Sequence, residues 1–126
     1  MKIAAIVLLL ILMVVAYGQG TKKPVPCADA QTQTDMSICW GKEYKAADAT
    51  LNQVYGQLMR KLDEPDKTQL KQVEAVWLKY RDANCEFVAD QYKGGSIRPM
   101  IEAMCLADTT RNRTTELRNQ IKDRDQ

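Results

Sequence analysis

The chain contains no histidine. Its absence removes the commonest general base, and with it the Ser-His-Asp, Cys-His and histidine-metal arrangements. The four cysteines include no Cys-x-x-Cys pair, so the usual spacing of a redox-active or metal-binding thiol site is missing as well. Charge of one sign is also scarce. A formal net charge of +2 over 126 residues offers no basic surface of the kind that holds nucleic acid. Paired carboxylates remain at Asp63, Glu64 and Asp66, a combination that does acid-base work in sugar hydrolysis. They flank Pro65 in a break between apolar stripes and read as a solvated turn. These absences describe a non-enzyme that needs no cofactor and no metal.

The one long apolar run, Ile3 to Val15, is shorter than the roughly 20 residues needed to cross a bilayer. Lys2 precedes it, and Ala16-Tyr17-Gly18 follows with the small residues a signal peptidase reads. Residues 1–20 are therefore expected to be a secretory signal, cut after Gly18 or Gly20. Cys27 lies well downstream, in Val25-Pro26-Cys27, without the small residue that precedes a lipidated cysteine. A lipid anchor is not expected, and neither is a membrane span in the mature protein. Loss of Lys2 lowers the net charge to about +1. The remaining domain is small, so its core alone leaves a thin stability margin. Four cysteines in an exported chain supply covalent help, because an oxidising compartment favours disulfides. Periplasm or medium is the implied location.

Three apolar stripes follow a leader loop at 21–31. Thr32-x-x-Asp35 has the form of a capping box. Beyond it Trp40, Tyr44, Ala47, Leu51, Val54, Leu58 and Leu62 recur at helical steps. Pro65 suits the first turn of a second helix, whose stripe reads Leu70, Val73, Trp77, Tyr80, Asn84 and Phe87 or Val88, running to about Lys93. Gly94-Gly95 stops that helix, and Ser96 offers a hydroxyl cap for a third, with Pro99 in its first turn. Ile97, Met100, Ile101, Met104, Leu117 and Ile121 form the third stripe, interrupted by a polar middle. The expected fold is all-α: a small up-down-up antiparallel three-helix bundle over residues 32–123, with two disulfides and a frayed tail at 124–126.

Counting outward from the two bends sets residues at equal heights. Cys85 and Cys105 are each ten residues from position 95, which favours their pairing and leaves Cys27 with Cys39. The competing connectivities stay open, since all four cysteines gather at one end of such a bundle. Arg113 falls level with Trp77, close enough for its guanidinium to lie over the indole. Leu117 and Val73 should meet one layer further on. Asp48 and Arg81 share a height across the first bend, and an ion pair is predicted there. Trp77, Arg81, Asp48 and Arg113 thus read as the residues that knit the three helices together.

Cys27-Ala28-Asp29-Ala30-Gln31-Thr32-Gln33-Thr34-Asp35-Met36-Ser37-Ile38-Cys39 resembles the opening of the lysozyme-inhibitor LprI N-terminal domain family. Ala47-Asp48 with Leu51-Asn52 and Tyr55 is similar to its first long helix. Trp77, Arg81-Asp82, Cys85, Gly94-Gly95-Ser96, Pro99, Cys105, Thr110, Arg113 and Leu117 resemble its second half. The resemblance implies an exported bacterial helical domain, in a family named for a member that inhibits lysozyme; with catalysis unsupported, the expected role is protein binding, with lysozyme or another peptidoglycan hydrolase as partner. The alternative is an envelope immunity or stress-tolerance module that binds a different protein without inhibiting lysozyme. An inhibitor of a cleft enzyme needs a protruding, preorganised element. The bend carrying Tyr92, Lys93, Gly94, Gly95, Ser96 and Arg98 is the candidate, with an aromatic ring, two cations and a hydroxyl near a disulfide. Lysozymes are strongly basic and this domain is almost neutral, so attraction at long range is weak and recognition must rest on local fit.

Overall fold

The computed structural model describes residues 24–126, and the expected signal at 1–20 lies outside them. Three helices of equal length follow one another: α1 (Gln33–Met59), α2 (Glu64–Asp90) and α3 (Arg98–Arg124). No strand occurs among the described residues. The short connections force each helix back along its predecessor, giving the up-down-up bundle.

Each of the first two helix starts has a local cause. The Thr32 hydroxyl accepts from the Asp35 amide at 3.0 Å while the Thr32 amide donates to the Asp35 carboxylate at 3.2 Å, completing a reciprocal cap. Asp63 caps α2 by accepting from the Asp66 amide at 3.0 Å, and Pro65 occupies the first turn, where a missing amide costs nothing. Glu64 and Asp66 set negative charge against the positive end of that helix. Lys122 and Arg124 do the converse at the end of α3. That helix runs to Arg124, one residue into the tail expected to fray at 124–126, and Lys61 reaches from the first bend to Asp125 at 2.5 Å.

α3 packs against both partners, most extensively against α1, whereas the backbones of α1 and α2 stay further apart. Three layers fill the interior. At the 60–63 end Leu51, Val54, Leu58, Leu70 and Leu117 form the apolar core, flanked by Tyr55, Met59, Leu62, Trp77 and Ile121. The middle is polar yet buried, with Arg81, Thr110, Arg113 and Thr114. Cys85, Ala89, Met100 and Ala107 close the far end. Two disulfides join Cys27 to Cys39 and Cys85 to Cys105, with Cα separations of 5.8 and 5.5 Å.

The α2 stripe faces inward differently from the sequence expectation. Val73, Tyr80 and Phe87 are exposed, at 46%, 60% and 77%, and the buried residues are Leu70, Arg81, Cys85 and Ala89. Leu117 accordingly shares its buried cluster with Leu70, not with the exposed Val73. Rotation of the helix toward Arg81 follows from the polar middle of α3, because a guanidinium finds partners there and a phenyl ring would not.

The second bend also differs. α2 stops at Asp90, earlier than Lys93, and the chain turns through bonds from the Tyr92 amide to Ala89 O and from the Lys93 amide to Asp90 O. Ser96 caps nothing. Ile97 stands at the helix start already in the right-handed region, its carbonyl accepting from the Ile101 amide, so the extended backbone that a hydroxyl cap requires is absent.

Candidate functional site

Two constellations predicted from the sequence are brought together in space. The first is the polar layer. The Arg81 guanidinium sits 5.3 Å from the ring centroids of both Tyr44 and Trp77. It donates to Asp82 at 2.8 Å, to the Thr110 hydroxyl at 3.4 Å and to Asp48 at 3.5 Å. One side chain thereby touches all three helices. Arg113 lies 5.8 Å from the Trp77 ring and donates to Glu74 through Nε and Nη2 at 3.0 and 2.9 Å, and to Glu116 through Nη1 at 2.9 Å. Burial opposes the charge on Arg113, but the hydrogen bonds to Glu116 and Glu74 outweigh it and raise its pKa. Burial also raises the pKa of Tyr44, against a smaller opposing pull from Arg81, and that of Tyr55, to which Glu74 adds.

Every buried side-chain nitrogen and oxygen among the described residues has a partner. Nothing in the polar layer points at a ligand. Its chemistry is that of a fastening between helices, and the sequence reading missed Glu74, Glu116 and Tyr44 as members. Their signal is present: Glu74, Trp77 and Arg81 follow helical steps along one face of α2, but a search for apolar periodicity passes over charged positions.

The second constellation is the bend after α2. Tyr92, Lys93, Gly94, Gly95 and Ser96 are all exposed. Gly94 adopts a φ of 83°, which an L side chain enters only at a cost. At Gly95 an added Cβ would lie 3.2 Å from the Tyr92 carbonyl oxygen, the same atom that accepts from the Gly95 amide at 2.9 Å. The two glycines therefore serve different needs, one conformational and one steric. Arg98 is half-buried and turned back on its own scaffold, donating to Asp90 at 3.0 and 2.8 Å and to Glu102 at 2.8 Å. The hydrogen bond to Asp90 raises its pKa. Of the two expected cations, Lys93 faces solvent and Arg98 acts as a brace.

A depression of about 400 Å³ runs between α1 and α3 beside Glu43, Thr50, Arg111, Thr114 and Thr115. Its hydroxyls are committed to their own helices, Thr50 to Ala46 O, Thr114 to Thr110 O and Thr115 to Arg111 O. Arg111 is held by Glu43 and Asp108. No group of His, Cys, Asp and Glu residues among the described ones could hold a metal ion. Nor is any described helix long and apolar enough to cross a membrane.

The two disulfides, the glycine bend and the bundle as far as Leu117 lie in the segment matched by a family model described as lysozyme inhibitor LprI, residues 27–117. The chain belongs to the LprI family. Its match begins at the first disulfide cysteine and ends at Leu117 of the apolar core. Among curated relatives, an uncharacterized protein R02472 of Rhizobium meliloti (strain 1021) is 34% identical, covering 94% of each chain. The uncharacterized protein YecT of Escherichia coli (strain K12) is 27% identical over 75% of this chain and 71% of its own. No solved structure matches. Trp77, Arg81, Cys85, Cys105 and Arg113, which fasten the three helices, all lie inside the matched segment.

Proposed function

We propose that this LprI-family domain is exported to the periplasm or medium and inhibits a lysozyme-type peptidoglycan hydrolase, with the Tyr92–Arg98 bend as the inserted element. It works by binding and carries no catalysis of its own. The observation that supports this reading is the state of the bend: exposed at its tip, yet braced by Arg98 against Asp90 and Glu102. A preorganised loop loses little freedom on binding, so more of its contact energy appears as affinity. Tyr92 offers an amphipathic ring and Lys93 an exposed cation.

The test is lysozyme turnover with and without the oxidised protein purified from an exporting host. Slowing is expected, and its absence at micromolar excess removes the inhibitor reading. Replacing Gly95 and Ser96 with tryptophan should abolish inhibition while helical circular dichroism persists. Retained inhibition would acquit the bend.

A second reading, an immunity or stress-tolerance module binding another envelope protein, is favoured by the near-balanced charge of the domain, which gives little long-range attraction to a strongly basic lysozyme. Capture from an envelope extract distinguishes the two by the identity of what is bound.

A further inference from the structure

α2 carries a second apolar seam that the bundle does not use. Val73, Val76, Tyr80, Ala83 and Phe87 recur at alternating steps of three and four, and all are exposed. That spacing is the seam of a two-stranded coiled coil, here extending about 21 Å along the helix. The fold covers Val73 in part but leaves most of Val76, Tyr80 and Phe87 to solvent.

We propose that this seam pairs with α2 of a second copy of the same chain, antiparallel, about a two-fold axis. Two features single out that occupant. From Val76 to Phe87 the seam alternates bulk in a self-complementary way: run antiparallel, Tyr80 falls against the small Ala83 of the other copy and Val76 against its Phe87, while Val73 lies beyond this apolar pairing, level with Asp90. The charges on its edge are self-complementary as well. Lys79 and Glu86 stand seven residues apart on one side of the stripe, and neither has an ion-pair partner among the described residues. Antiparallel pairing sets Lys79 of each copy opposite Glu86 of the other, so the symmetric contact forms twice. A parallel arrangement would set them opposite Asn84 and Gln91 and stack Tyr80 on Tyr80, wasting both the charges and the alternation.

Glu86 adds a further reason. Its neighbours one turn away on either side are Asp82 and Asp90, themselves engaged by Arg81 and Arg98, so Glu86 has no cation within a turn of it on its own helix. A lysine from a second copy would supply one. The same carboxylates repel an anionic lipid surface, which disfavours a membrane as the occupant.

Sedimentation of the oxidised, exported protein over micromolar to high-micromolar concentrations tests this. The expected mass rises toward twice the monomer. Lys79→Glu or Glu86→Lys alone sets like charges together twice and should weaken association by about tenfold or more. The double reversal should return to within about threefold of the parent. Glu86→Lys should also raise the melting temperature of the monomer, which separates a lost contact from a lost fold. A monomer at every concentration overturns the proposal and leaves the seam for a different protein. So does a dimer that neither reversal disturbs, because the contact then lies elsewhere.

Discussion

Arg81 and Arg113 are both buried cations over Trp77, but they differ in what their removal would leave behind. The carboxylates around Arg81 belong to Asp48 and Asp82, whose side chains are 41% and 63% exposed, so water can replace the arginine. Arg113 is held by Glu74, whose side chain is 12% exposed and would be stranded without its partner. Arg81→Met keeps the bulk and forfeits the ring contacts and hydrogen bonds, which predicts a loss of about 2 kcal/mol. Arg113→Met should cost more, about 3 to 5 kcal/mol, because it leaves a buried charge unpaired. Adding Glu74→Gln to Arg113→Met should recover part of that loss. Urea denaturation of the set checks both the order and the rescue, and an equal cost for the two arginines would contradict the argument. The tyrosines give the pH counterpart. Burial raises the pKa of Tyr44 and Tyr55 above the ordinary tyrosine value of 10.0, so the folded state holds these protons more tightly than the unfolded one. Their contribution is complete below that value and is lost as pH rises through the raised folded values. Ultraviolet titration should show a late-ionising phase that disappears in urea.

At the scale of the helix, legibility depended on whether a signal was local. The Thr32 cap could be read because hydroxyl, carboxylate and spacing lie within one turn. Thr32→Ala should accordingly destabilise by about 1 kcal/mol in thermal or urea melts. Ser96 met the same compositional rule and failed, since the residue after it is already helical and the cap geometry never forms. The inward face of α2 was misread for a different reason. That helix carries two periodic stripes, and the more apolar one, with Val73, Tyr80 and Phe87, faces water. Which stripe turns inward is decided on α3, where the Thr110 hydroxyl that receives Arg81 lies 29 residues further along the chain, and no window on α2 contains that information. The disulfide scheme and the Asp48–Arg81 pair were legible because counting from a bend needs only that the helices be antiparallel. Within the bend, Gly94 and Gly95 were recognised as chain reversal. What sequence alone did not reveal is that Arg98 closes on Asp90 and Glu102, a pairing that depends on where α2 ends.

Across the whole molecule the stabilising elements are unevenly placed. The apolar core of Leu51, Val54, Leu58, Leu70 and Leu117 lies toward the 60–63 bend, while both disulfides lie toward the Tyr92–Arg98 bend, where Ala89 and Ala107 supply little apolar volume. The end proposed to bind is thus held by covalent bonds and polar fastening, and the opposite end by burial. Cross-linking mainly restricts the unfolded chain, and for the 20-residue separation of Cys85 and Cys105 it contributes about 3 kcal/mol. Losing it should not be felt equally everywhere. Reduction, or replacement of Cys85 and Cys105 by alanine, should speed hydrogen exchange around 33–40 and 85–107 first, while the amides of Val54, Leu58 and Leu117 keep most of their protection. Uniform acceleration along all three helices would instead mean that the bundle opens as one unit, with the apolar end unable to stand without the covalent one.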